Sequence, residues 1–129
     1  MERVNSNQFD PNTKKIEGLE RKIVTALWIQ LLGQIMEAKY TSDLFALQNG
    51  AKGEKKISFG QWVGVVGQGL EAIGATKELV STDRDIILSA QRIAINGNLL
   101  QSLGSALEAV GSEEVLIDEL VTGIQEFIP

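Results

Sequence analysis

The chain has no cysteine and no histidine among its 129 residues. Without cysteine there are no disulfide staples and no thiolate nucleophile. Without histidine the usual general base at neutral pH and the commonest zinc ligand are both missing. Zinc sites, Ser-His-Asp triads, Cys-His pairs and Glu-x-x-His di-iron sites are therefore excluded within a single chain. Two prolines and one tyrosine argue against a sandwich or barrel, which needs frequent turns and aromatics.

Positive charge is scarce in the second half. Residues 57–129 hold three basic and ten acidic residues, against nine basic and seven acidic in residues 1–56, and no Lys or Arg follows Arg92. No nucleic-acid partner is expected, because phosphate neutralisation needs a clustered basic face. The nearest candidate, KKIEGLERK at 14–22, interleaves Glu17 and Glu20 with its cations and reads as a solvated helix face. Long apolar runs are also lacking. The uncharged stretches Ile23–Met36, Ile57–Leu70 and Ile93–Leu107 span 14, 14 and 15 residues, short of the ~20 that cross a bilayer. MERVNSNQFDPNTKK, at the start, has no apolar core and is no signal peptide. A cytoplasmic protein is the expectation.

What the chain does have is glycine, in a pattern. VGVVGQGLEAIGA at 63–75 resembles a dinucleotide-binding phosphate loop, but the stretch around it recurs. Leu27–Tyr40 reads LWIQLLGQIMEAKY, Gln61–Gly74 reads QWVGVVGQGLEAIG and Asn98–Gly111 reads NLLQSLGSALEAVG. All three place Gly at the seventh position (Gly33, Gly67, Gly104) and follow it with a Glu-Ala pair; Trp28 and Trp62 share the second position, where Leu99 stands in the third copy. Gly69, the second glycine of the supposed loop, is Ile35 and Ala106 in the other copies, so it need not approach a pyrophosphate. The polar turn STDRD follows, not a strand ending in an acid.

The periodicity is helical: Trp62, Val66, Gly69 and Ile73 form one row, Val63, Gly67, Leu70 and Gly74 the next. Gln101, Ser105 and Glu108 fall on the opposite face, as do Gln30, Gln34 and Glu37 in the first copy. A glycine inside a helix costs about 1 kcal/mol relative to alanine. Placed mid-stripe it makes a notch for a large residue such as Trp28 or Trp62, or for the backbone of another helix. Trp28, Gly33, Trp62, Gly67 and Gly104 are accordingly the expected packing and interaction residues. The three segments resemble small uncharacterised repetitive helical proteins of Bacillus-type bacteria, built from W-x-Q-x-x-G-x-x-L-E-A-x-G units; the resemblance covers the repeats and implies no activity. Tetratricopeptide repeats share the unit length, but their glycine comes sooner after the tryptophan.

These patterns predict an all-α protein: a bundle of about four main helices built from three related repeats with short joints. Residues 1–13 read as a flexible polar leader and 14–129 as a single helical domain with repeat cores at 27–40, 61–74 and 98–111. Helix one is expected from Asn12 or Thr13 to Glu37–Tyr40, with a short piece at Ser42–Gln48 and a stop at Asn49-Gly50. NGAKGEKK reads as a loop. Ser58 caps helix two, which ends near Gly74 with Thr76–Val80 adding a turn or two, and Thr82 or Asp83 opens helix three. Gly111-Ser112 breaks the chain before a fourth helix with Leu116, Leu120, Ile124 and Phe127 on its buried stripe.

Only carboxylates are left for acid–base work. Glu37, Glu71 and Glu108 are equivalent across the repeats, but each is expected on a solvated face with no cause for a shifted pKa. Glu114 with Asp118, spaced i, i+4, lacks the carbonyl ligands of a calcium site. No catalytic residue, metal or cofactor is assigned. The expected function is a non-enzymatic interaction or structural protein that self-associates, a dimer being favoured, or docks on a protein partner. A membrane-surface amphipathic protein ranks second and a bundle binding a small apolar ligand third.

Overall fold

The computed structural model describes residues 10–48 and 52–127, with side chains up to residue 123. The described residues form three long helices, α1 (Pro11–Leu47), α2 (Lys52–Val80) and α3 (Arg84–Phe127). The expected leader through residue 9, the loop at 49–51 and the side chains of Ile124 and Phe127 lie outside the described residues.

Local chemistry sets the ends. Asp10 caps α1 by accepting from Asn12 N at 3.0 Å, and Pro11 supplies a preset φ and no unpaired N–H in the first turn. The helix therefore starts two residues earlier than the sequence suggests. It then continues without interruption through Tyr40 to Leu47, where the Gln48 N–H reaches back to the carbonyls of Leu44 and Phe45. Ser81–Asp83 turn the chain into α3, whose cap is Asp83: its carboxylate accepts from Asp85 N at 2.9 Å and its carbonyl from Ile87 N at 3.0 Å.

The count of three, not four, has a packing cause. Gly111 does not end α3; it faces α2, as Gly97 and Gly104 do. Likewise Ser58 is not a cap but lies inside α2, hydroxyl to hydroxyl with Ser42 at 2.6 Å, and the turns at Thr76–Val80 continue α2 without a break after Gly74.

The α2–α3 hairpin is antiparallel and meets on two rows spaced by seven: Gly53, Gly60, Gly67 and Gly74 on α2, against Gly111, Gly104, Gly97 and Ala90 on α3. A period of seven keeps one seam facing its partner. At each glycine the two backbones touch. A Cβ on Gly67 would stand 2.5 Å from the Gly97 carbonyl oxygen, and one on Gly104 would stand 2.5 Å from that of Gly60. The missing side chains thus allow Cα–H groups to point at carbonyls across the seam, a weak but repeated attraction. The notch expected at Gly67 and Gly104 is filled by partner backbone, not by tryptophan.

Against α1, α2 uses alanine. Ala38 and Ala72 are both 0% exposed, and Gln68, at 1%, donates from Nε2 to the Leu27 carbonyl at 3.0 Å and to Gln30 Oε1 at 3.3 Å. Helix α2 lies between the other two, and α1 makes no backbone-level contact with α3. The molecule is an open layer of three helices with a core of glycine, alanine and glutamine. Gly33 lies outside this core: it is exposed, and a Cβ there would meet nothing within 4 Å. Gly33→Ala is therefore expected to stabilise the protein by up to about 1 kcal/mol through helix propensity, read as a raised midpoint in urea.

Candidate functional site

The glycine rows divide the hairpin into two unlike sides. The residue just before Gly60, Gly67 and Gly74 on α2 and before Gly104 and Gly111 on α3 is large and apolar (Phe59, Val66, Ile73, Leu103, Val110), and all five are exposed; Lys52, Ser89 and Asn96 precede the other three row positions. The residue just after is small or polar: Gln61, Gln68 and Ala75 on α2, Asn98, Ser105 and Ser112 on α3. Because successive residues lie 100° apart around a helix, these flanks point to opposite faces of the layer. The outer row expected to be buried (Leu99, Leu103, Val110, with Leu116 and Leu120 beyond) is exposed instead.

Trp28 and Trp62 lie on the α1–α2 joint in matching positions. Trp28 Nε1 donates to Thr76 Oγ1 at 2.9 Å, and Thr76 donates on to the Ala72 carbonyl at 2.7 Å. Trp62 Nε1 donates to Ser42 Oγ at 3.1 Å, and Ser42 Oγ lies 2.7 Å from the Ala38 carbonyl. Each indole is anchored by its N–H while its ring remains 40% exposed. Trp62 stands one turn before Val66 and shares a groove with Phe45 and Phe59, so the anchored rings extend the apolar face toward α1.

The other face carries the polar rows, which converge from all three helices. Gln34 and Glu37 of α1, Gln61 and Gly64 of α2, and Gln101, Ser105 and Glu108 of α3 line a cleft of about 130 Å³. That is small beside the ~300 Å³ at which ligand pockets begin. Gln101 Nε2 donates to Glu71 Oε2 at 2.6 Å across the hairpin. Partial burial holds the Glu108 carboxyl above the ordinary glutamate value of 4.5, repulsion from Glu37 adds to this, and a hydrogen bond from Gln61 opposes it. The expectation of three freely solvated glutamates fails for Glu108, because α1 packs on the glutamine side of α2 and folds the polar rows together. Among the described residues no three acidic side chains converge as metal ligands would.

The raised Glu108 pKa fixes a pH dependence. Its folded form holds a proton more tightly than the unfolded chain, so its contribution to stability is full below the ordinary glutamate value. That contribution is lost as pH rises through the folded pKa. Glu108→Gln, which still accepts from Gln61, is expected to be more stable than the parent at neutral pH and equal to it in acid. Urea melts of the two chains between pH 4 and pH 7 check this.

Of the five residues singled out from sequence, Gly67 and Gly104 sit in the α2–α3 seam, Trp28 and Trp62 flank the α1–α2 joint, and Gly33 joins neither group. The structure adds Gly53, Gly60, Gly74, Gly97 and Gly111, whose signal was the spacing of seven within each helix. The model of a family of unknown function, DUF6944, matches residues 55–127, which is the glycine-packed hairpin. The chain belongs to the DUF6944 family. Trp62, Gly67 and Gly104 fall inside the DUF6944 match; Trp28 and Gly33, on α1, fall outside it. Neither a curated protein nor a solved structure matches the chain. Among the described residues no helix is long and apolar enough to cross a membrane.

Proposed function

We propose that the chain is a non-enzymatic helical association protein whose working surface is the apolar face of its three-helix layer. The observation that carries this reading is the inverted distribution of side chains: glycine, alanine and Gln68 inside, with Phe59, Val66, Ile73, Leu103 and Val110 outside. Helices ~40 Å long, spaced ~9 Å apart, give that face an area on the order of 1,000 Å². A monomer rarely leaves more than a few hundred Å² of contiguous apolar surface in water. The partner is therefore a protein surface of like chemistry, this chain's own included, and no nucleic acid, metal or cofactor enters the reading.

The related segments at 27–40, 61–74 and 98–111 support it, read as repeats like those of the Bacillus-type proteins. In the first two copies the same positions do the same work: a tryptophan donates across the joint to the hydroxyl four residues after the other helix's buried alanine. Size-exclusion chromatography with light scattering tests the proposal. A mass that is a multiple of 14.0 kDa, or a complex with a protein partner, supports it. A strict monomer that excludes an apolar dye overturns it.

A membrane surface is the second reading, favoured by the anchored tryptophan rings beside the aliphatic rows. Co-sedimentation with neutral and anionic vesicles separates it from protein association. A third occupant, a small apolar ligand, has no room at Gly67 or Gly104, where the opposing backbone fills the notch.

A further inference from the structure

We propose that the occupant of the apolar face is a second copy of this chain, laid antiparallel across a twofold axis so that two protruding helix ends of opposite charge cover each other. This inference rests on the association reading above and names its partner. The helices differ in length, and their register leaves an overhang at each end of the molecule. Gly53, near the start of α2, lies against Gly111 and Val115, so α3 runs on past α2 from Leu116. At the other end Glu20 and Val24 share a groove with Glu78 and Leu79, beside the end of α2 at Val80. Residues Pro11–Leu19 of α1 therefore project beyond it.

Both overhangs are amphipathic and uncovered. Ile16 and Leu19 are exposed on the first, Leu116 and Leu120 on the second. Their net charges are opposite in sign. The first overhang carries Lys14 and Lys15 against Glu17, behind the Asp10 cap. The second carries Asp118 and Glu119 and no Lys or Arg. The two overhangs lie at opposite ends, so a parallel neighbour would set like charges side by side. A twofold axis across the layer brings basic to acidic at both ends. Two faces on the order of 1,000 Å² each, brought together, fall in the range of permanent homodimers.

Two variants test this, neither touching the packed core. One carries Lys14→Glu and Lys15→Glu; the other carries Asp118→Lys and Glu119→Lys. Sedimentation equilibrium at low salt is expected to give a dimer for the parent chain and at least tenfold weaker dimerisation for each variant alone. An equimolar mixture is expected to return to parental affinity, because both ends then pair opposite charges. Circular dichroism confirms that each variant keeps its helices. If the variants dimerise as tightly as the parent, or if the mixture is no tighter than either alone, the overhang arrangement falls while self-association stands. If the parent is monomeric and is carried down by phosphatidylcholine vesicles, the face belongs to lipid and both readings fall.

Discussion

Replacing Gly67 with alanine is expected to destabilise the protein by about 2 kcal/mol or more, although alanine is the better helix former by about 1 kcal/mol. The added methyl would stand 2.5 Å from the Gly97 carbonyl oxygen, 2.8 Å from Gln101 N and 2.9 Å from Gln101 Cγ. Two of those atoms are backbone and cannot turn aside as a side-chain end could. The helices must therefore separate locally, which also opens the reciprocal contact at Gly97 and strains the flanking pairs at Gly60 and Gly74. Gly67→Leu extends the same clash to four carbons and is expected to abolish the hairpin. The control is Gly33→Ala, an identical chemical change at a site with open space, for which stability rises. Urea melts of the two alanine variants should shift in opposite directions. A neutral or stabilised Gly67→Ala chain would mean that α2 and α3 do not meet on that row.

That contrast also shows how far the sequence could be read. Aligning the three related segments puts Gly33, Gly67 and Gly104 in one class, and a shared notch follows. What distinguishes them is their company seven residues away. Gly67 has Gly60 and Gly74, and Gly104 has Gly97 and Gly111, whereas Gly33 has Ala26 and Tyr40. A seam needs the whole row, so Gly33 has nothing to pack into. The same row explains the missing fourth helix. Gly111 followed by Ser112 is a reasonable helix end by local preference, but contact with Gly53 and Ile57 across the seam outweighs it.

Helical class and the Asp83 cap were legible because they depend on neighbours in sequence. The orientation of the faces was not. The row of Trp62, Val66 and Ile73 lies beside the row that holds Gly67 and Gly74, and convention buries both. Here α1 covers the side bearing Gln68 and Ala72, through contacts 30 or more residues distant in sequence. The polar rows consequently meet around Glu37 and Glu108, while the outer aliphatic row stays exposed.

Val66→Glu is expected to abolish association while leaving the fold of the single chain intact. Val66 lies midway along α2 (Lys52–Val80) and is 57% exposed. In the isolated chain a glutamate there meets water and costs a few tenths of a kcal/mol. In the antiparallel dimer the midpoint of α2 lies near the twofold axis, which brings two carboxylates together inside an apolar interface. Burying an unpaired ion costs several kcal/mol, so a total of at least ~4 kcal/mol raises the dissociation constant roughly 1,000-fold. Asn98→Glu supplies the comparison: Asn98 is exposed and follows Gly97 on the polar side of the seam. It adds the same charge without entering the apolar face, so its mass by light scattering should equal the parent's. If Val66→Glu also retains the parental mass, the apolar face is not where the copies meet, and the inverted arrangement of side chains must serve some other surface.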